Sequence, residues 1–158
     1  MSDVVVEVTD DLAAVRRLGV ACGLDDSVRD EEVVHVAWGA RRDGRLVGAV
    51  VLAGLGPLTT VNWLAVAAEE RRRGVASRLY AALEQEARRR GVRRLYATAR
   101  TPGFFFAHGF REVPAGRERD LLLGECPQCE QYGRGCAPRA VVKDLAPGRP
   151  GEPASGEE

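Results

Sequence analysis

The sequence lacks the features that mark membrane, nucleic-acid-binding and secreted proteins. Its 158 residues carry 23 acidic and 23 basic side chains, so no net charge draws it to nucleic acid or to an anionic membrane. No apolar run approaches the roughly 20 residues that span a bilayer. No basic stretch followed by an apolar one opens the chain, as it would in a signal peptide. We therefore expect a cytoplasmic protein that binds neither nucleic acid nor a membrane.

Cysteine is scarce as well, with four residues in the chain, and Lys143 is the only lysine. In a reducing compartment, cysteines are thiols or metal ligands more often than disulfides. Apolar residues make up 45% of the chain and charged residues 29%, a balance typical of a globular domain with a buried core. The length fits one such domain.

The order of apolar and turn residues predicts alternating strands and helices. Asp43-Gly44 lies between two β-rich runs and predicts a hairpin. Residues 59–66 predict a strand, and apolar residues at helical spacing follow from Val75 until Gly91. Residues 94–98 predict the strand that completes a β-α-β crossover. Short late strands are predicted at residues 121–123 and 140–142, and a disordered tail at 146–158.

One segment of this pattern is suited to binding phosphate. A strand ending in Leu64-Ala65-Val66 is followed by Arg71-Arg72-Arg73, and a helix then begins at Gly74-Val75-Ala76. The first turn of a helix exposes unpaired N–H groups at the positive end of the helix dipole. Phosphate oxygens bind well there, and residues with little side chain let a ligand approach the backbone.

The same segment resembles the cofactor motif of the GNAT N-acetyltransferase superfamily, Arg/Gln-x-x-Gly-x-Gly/Ala, which Arg71, Gly74 and Ala76 match. The resemblance implies one α/β domain over residues 1–145, with a mixed, mostly antiparallel central sheet flanked by helices. It implies acetyl-CoA as co-substrate, whose pantetheine arm pairs with the strand before the motif. The residues it assigns to acetyl-CoA are Leu64, Ala65, Val66, Arg71, Arg72, Arg73, Gly74, Val75, Ala76, Ser77 and Phe105.

Residues 23–26, 98–101 and 136–142 look like those of small amino-acid acetyltransferases of the N-acetylglutamate synthase and arsinothricin-resistance kind. That resemblance implies an amino acid or a related small primary amine as acceptor. A protein N-terminus or lysine as acceptor, and a non-catalytic acyl-CoA or metal sensor, stay open. Family members are often dimers, so a homodimer also stays open.

The catalytic groups are harder to assign. Many family members have a tyrosine as general acid where this chain has Phe105, which has no proton to give. His108, Tyr96 or water could replace it, or the thiolate could leave unassisted. Asn62 lies where some members have a glutamate base, and it could hold a water.

The cysteines form a second candidate site. Cys126 and Cys129 make a Cys-x-x-Cys pair, and Cys136 follows seven residues later. Three thiolates at this spacing suit zinc, with Cys22, His108 or water as a fourth ligand. We expect a structural zinc that holds residues 124–138, while reduced thiols or a Cys126–Cys129 redox disulfide remain alternatives.

Overall fold

The described part of the chain is one mixed sheet with helices on both faces. The computed structural model describes residues 4–22, 32–71, 74–99, 103–123 and 139–145, with the backbone alone at Glu32, Asn62 and Trp63. The strands are β1 (Val5–Thr9), β2 (Glu32–Arg42), β3 (Arg45–Leu55), β4 (Leu58–Val66), β5 (Arg94–Ala99), β6 (Arg111–Glu112) and β7 (Arg139–Asp144). The helices are α1 (Leu12–Ala21), α2 (Val75–Arg89), α3 (Gly103–Ala107) and α4 (Arg117–Leu123).

The strand order is β1-β2-β3-β4-β5-β7-β6, and the pairs are antiparallel except β4 with β5. The predicted hairpin is confirmed, because Asp43 and Gly44 both have positive φ angles, 53° and 79°, between β2 and β3. Such a turn matches the twist of the strands it joins. The predicted crossover is confirmed too, since α2 connects the parallel strands β4 and β5.

Alternation along the strands divides the core between the two faces of the sheet. Val15 of α1 packs against the face that carries Ala37 and Val51. Leu79 and Leu83 of α2 are fully buried on the opposite face, in the cluster that includes Val50 and Leu52. The apolar stripe of α2 thus fixes this helix, and with it the Gly74 turn, against the centre of the sheet.

The strand predicted at residues 121–123 is wrong, because these leucines end helix α4. Glu118 and Asp120 lie in the first turn of that helix, where negative charge is favourable. As a helix, the segment buries Leu122 and Leu123 in one cluster with Tyr96. The strand predicted at residues 140–142 is confirmed within β7.

Among the described helices, none is long and apolar enough to cross a bilayer. The predicted cysteine-rich turn at 124–138 and the predicted tail at 146–158 lie outside the described residues.

Candidate active site

Strand β4 contains a bulge in its second half. Val51 pairs with Asn62 and Ala49 pairs with Ala65, so Val50 alone opposes Trp63 and Leu64. An extra residue in one strand bends that strand and leaves part of its backbone outside the regular ladder. The bulge therefore changes the course of β4 at the start of Leu64-Ala65-Val66, the segment expected to hold the pantetheine arm.

Beyond its midpoint, β4 also separates from β5. In the described strands, the parallel pairing is recorded at the single position Thr60–Tyr96. On its other edge, β5 pairs with β7 along its whole length. The half of β4 that ends at Val66 thus faces an opening in the middle of the sheet, where an extended ligand with amide groups could add as a strand.

Helix α2 begins beside this opening, at a turn that only glycine adopts easily. Gly74 is the N-cap, with φ 80° and ψ 8°, and makes no side-chain cap. The first turn of α2 contains no acidic residue. The amides that open α2 are therefore not covered by a capping side chain of Gly74, and a negatively charged group is favoured there.

Close packing at Gly48 holds the start of α2 against the sheet. A Cβ atom at Gly48 would lie 3.0 Å from Leu79 Cδ1 and 3.1 Å from Val75 Cγ1. Gly48 also pairs with Val66, the last residue of β4. The absence of a side chain at Gly48 thus lets the first turn of α2 approach the end of β4, and the sequence pattern did not indicate this role.

Two ion pairs attach the turn between β4 and α2 to the β2–β3 hairpin. Arg42 binds Glu70 through both carboxylate oxygens, at 2.9 and 3.1 Å. Arg45 binds Glu69 at 2.9 Å, on the surface. Glu70 is only 3% exposed and the Arg42 side chain is 23% exposed, so a buried carboxylate pairs with a partly buried guanidinium group. Sequence analysis missed both pairs, because their members lie 28 and 24 residues apart.

The carbonyl of Val66 accepts two side-chain hydrogen bonds. Arg71 Nε lies 3.3 Å from it and Cys22 Sγ lies 3.5 Å from it. Arg71, expected at the cofactor, thus contacts the end of the strand expected to bind the same cofactor. Cys22, expected as a metal ligand, donates its thiol hydrogen to the Val66 carbonyl.

The three consecutive phenylalanines of α3 lie in different environments. Phe105 is buried and packs edge-on against Phe104 and Phe110, whereas Phe106 is 42% exposed. Phe105 therefore contributes to the core at the position where the family often has its acid. Its predicted contact with acetyl-CoA stays a prediction.

His108 lies against the first turn of α2. Its Nε2 atom is 3.2 Å from Ser77 Oγ, and its Nδ1 atom is 2.9 Å from the carbonyl of Phe104. The structure thus brings together two residues that the sequence singled out separately, Ser77 for the cofactor and His108 for proton transfer. Their sequence separation of 31 residues gave no signal of this contact.

Tyr96 is one of the alternative proton donors, and its hydroxyl interacts with Arg94 and Glu118. Burial raises the pKa of Tyr96, a hydrogen bond with Arg94 lowers it and one with Glu118 raises it further. The ring packs in the cluster with Leu122 of α4. The hydroxyl therefore interacts with charged groups at the start of β5 and on α4.

Several candidate residues lie outside the described residues. They are Arg72, Arg73, the side chain of Asn62, and Cys126, Cys129 and Cys136. Within the described ranges there is no group of three histidine, cysteine or acidic side chains that could hold a metal.

A groove of about 500 Å³ between Trp38 and Arg89 flanks α2 but is lined by no residue of β4 or β5.

Comparison with known proteins identifies the family and the fold. The model of the acetyltransferase (GNAT) family matches residues 10–111. A search of curated proteins found no significant match.

Three solved structures illustrate the fold. An IAA acetyltransferase from Bacillus cereus superimposes with a TM-score of 0.67 at 19% identity, covering 90% of this chain and 100% of the other. A second structure is the N-acetylglutamate synthase of Neisseria gonorrhoeae, complexed with coenzyme A and N-acetyl-glutamate. It superimposes with a TM-score of 0.64 at 20% identity and covers 94% of this chain. Only 36% of that synthase is covered, so this chain spans about a third of its length.

The ribosomal-protein-S18-alanine N-acetyltransferase of Escherichia coli gives a TM-score of 0.59 at 15% identity, covering 90% of this chain and 91% of the other. At these identities the structures show a shared fold, and the predicted α/β domain with a mixed, mostly antiparallel sheet is confirmed. Because the family model covers well over half of the residues, the chain belongs to the acetyltransferase (GNAT) family.

Proposed function

We propose that this protein transfers the acetyl group of acetyl-CoA directly to the primary amine of a small molecule, an amino acid or an analogue of one. The observation that carries the proposal is the opening between β4 and β5 beside the start of α2. An extended arm and a charged pyrophosphate, the two parts of coenzyme A, match these two features. Family membership supports acetyl-CoA as the donor.

In this proposal, the pantetheine arm lies along β4 and its amides bond to the backbone of Leu64, Ala65 and Val66. A strand N–H near Leu64 or Val66 polarises the thioester carbonyl, in the role of an oxyanion hole. The pyrophosphate binds at the start of α2. Its partners are the amides of Val75, Ala76 and Ser77, with Arg71, Arg72 and Arg73 adding positive charge.

The acceptor amine attacks the thioester carbon with its lone pair, and the carbon–sulfur bond breaks. The amine loses a proton and the thiolate of coenzyme A gains one. Asn62, whose backbone pairs with Val51 just before the bulge of β4, is our candidate for holding the water that carries protons. His108 is the second candidate for proton transfer. Phe105 takes no part in this step, because its ring holds no acidic proton.

Two structural neighbours support different acceptors. The N-acetylglutamate synthase complex favours a free amino acid. The S18-alanine acetyltransferase favours a protein N-terminus, which is the alternative we retain. We also propose that Cys126, Cys129 and Cys136 bind a structural zinc.

Acetyl-CoA turnover on a panel of amines tests the function. Release of free thiol should occur with free amino acids or small amines, and it should disappear when the α-amine is blocked. Turnover on peptides alone would favour the protein acceptor. Tight coenzyme A binding without turnover on any amine would indicate a sensor.

Substitutions in the motif test the cofactor site. Gly74→Glu and Arg72→Glu should abolish coenzyme A binding, because each places a negative charge near the pyrophosphate. Arg89→Glu makes the same charge change as Arg72→Glu, at the exposed far end of α2, and should leave binding intact. Unchanged affinity in both motif variants would contradict the proposed location.

A further inference from the structure

Ser77 and His108 form a hydrogen bond at the start of α2, and the proposed function assigns no role to the Ser77 hydroxyl. Ser77 is the third helical residue after the N-cap Gly74, and it is exposed. Its Oγ atom lies 3.2 Å from His108 Nε2. The hydroxyl therefore belongs to the same turn whose amides we assign to the pyrophosphate.

The second ring nitrogen decides which way this hydrogen bond runs. His108 Nδ1 is 2.9 Å from the carbonyl oxygen of Phe104. A carbonyl only accepts, so Nδ1 carries a hydrogen and donates it. In the neutral ring, Nε2 then has only a lone pair, and Ser77 must donate its hydroxyl hydrogen to it. In the protonated ring, Nε2 donates instead, and the hydrogen of Ser77 becomes available to another acceptor.

Aromatic packing keeps the ring in this position. The imidazole stacks on Phe104, with centroids 4.1 Å apart and an interplanar angle of 28°. Tyr80 contacts it edge-on at 5.4 Å, and Tyr80 is itself held by a 2.7 Å hydrogen bond to Glu84. A change of protonation thus reverses the hydrogen bond to Ser77 and leaves the ring where it is.

The charged side chains near this contact bind one another. On α2, Glu84 bonds the Tyr80 hydroxyl, and from β7 Lys143 bonds the same carboxylate at 2.7 Å. The side chain of Lys143 also lies close to Gly109, the residue that follows His108 in the sequence. Arg88 binds the other oxygen of the Glu84 carboxylate at 3.0 Å, so this carboxylate is shared by two cations. Among these groups, His108 is the one that contacts Ser77 directly.

We propose that His108 is a positioning residue whose protonation releases the Ser77 hydroxyl to donate a hydrogen bond to the pyrophosphate of coenzyme A. This inference rests on the proposed function. Binding then takes up a proton at His108, and the affinity for the cofactor falls as the pH rises. Side chains of this type change charge between about pH 5 and 8, which sets the pH range of the experiment.

The test is calorimetric titration of the full chain with 3′-dephospho-coenzyme A at several pH values. This analogue keeps the pyrophosphate but lacks the 3′-phosphate, a group whose own second ionisation lies near about pH 6. We expect the Kd of the wild-type protein to increase about tenfold from pH 6 to pH 8, the effect of one hydrogen bond. Titration in two buffers of different ionisation enthalpy should show proton uptake at pH 7.

His108→Gln should give a Kd that does not vary with pH. Ser77→Ala should lose the gain in affinity at low pH, and Ser77→Thr, which keeps a hydroxyl, should restore it. Because Ser77 is exposed, these two variants decide the matter even where His108→Gln fails to fold.

Three results would overturn the proposal while leaving the cofactor site in place. They are a wild-type Kd that is constant with pH, the wild-type pH dependence in His108→Gln, and the wild-type dependence in Ser77→Ala. The last would show that the imidazolium acts on the ligand by charge alone. Absence of binding at every pH would instead overturn the proposed function itself.

Discussion

Arg42 and the buried carboxylate of Glu70 form a partly buried two-point ion pair, with Arg42 Nε 2.9 Å from Oε2 and Nη2 3.1 Å from Oε1. The pair connects the end of β2 to the turn that leads into α2. Planar guanidinium and carboxylate groups match each other in this geometry, so the pair fixes orientation as well as distance. The position of the proposed pyrophosphate turn thus depends on a residue outside the cofactor motif.

Replacing Arg42 by methionine should lower the free energy of unfolding by about 3 kcal/mol, because it leaves the buried Glu70 carboxylate without this partner. Urea unfolding measures the change. Arg45→Met is the matched control: the Arg45–Glu69 pair is exposed on both sides, and its loss should change stability by less than about 1 kcal/mol. Equal losses in the two variants would contradict the interior role of the Arg42–Glu70 pair.

Gly48→Ala should weaken the binding of acetyl-CoA. The new Cβ atom would press on Val75 and Leu79 and displace the first turn of α2 from the end of β4. We expect a loss of stability of about 1–3 kcal/mol, as for other overpacked sites, and a KM for acetyl-CoA that rises more than kcat falls. Gly103→Ala, where a Cβ atom meets nothing within 4 Å, serves as the control.

Acid should destabilise the protein through Glu84. Burial raises the pKa of Glu84, but hydrogen bonds from Lys143, Tyr80 and Arg88 together outweigh burial, so its net pKa is lowered. A lowered pKa stabilises the fold above the ordinary value of 4.5, and this contribution is lost as the pH falls below it. Melting temperatures from pH 3 to 7 should show a smaller acid-dependent decrease in Lys143→Met than in the wild type. Parallel curves would contradict the assignment.

Zinc should be present at about one ion per chain if Cys126, Cys129 and Cys136 bind it. Elemental analysis of the purified protein measures this ratio, and a ratio near zero would contradict the proposed zinc site. Cys126→Ser should lose the metal. Cys22→Ser should retain it, because the Cys22 thiol donates to the carbonyl of Val66 and so keeps the hydrogen that a zinc ligand must lose.

Local patterns predicted the elements around the candidate site. Asp43-Gly44 predicted the hairpin because few other pairs adopt two positive φ angles, and Gly74 with the stripe of Leu79 and Leu83 predicted the start and face of α2. Residues 121–123 were misassigned, since three leucines in a row fit either a strand or one turn of a helix. Acidic residues in the first turn favour the helix, which also buries Leu122 and Leu123.

Contacts between distant segments were beyond such reasoning. The β4 bulge has no residue signature here, and it follows from how β3 and β4 align. The Ser77–His108 contact depends on where α3 packs, and the Arg42–Glu70 pair on how the hairpin meets the turn before α2. Each is fixed by tertiary packing, so the sequence named Ser77 and His108 without indicating that they touch.

Lys143 is the only lysine of the chain, and its ammonium group is tied to Glu84 at the junction of α2 and β7. The bound carboxylate and the partial burial of the side chain, which is 22% exposed, restrict its access to a thioester. The protein thus offers no freely exposed ε-amine to the reactive donor that we propose it handles. Acetylation of the protein's own lysine should therefore be slow in an assay, so that amide-linked acetyl groups on added amines report transfer by the enzyme.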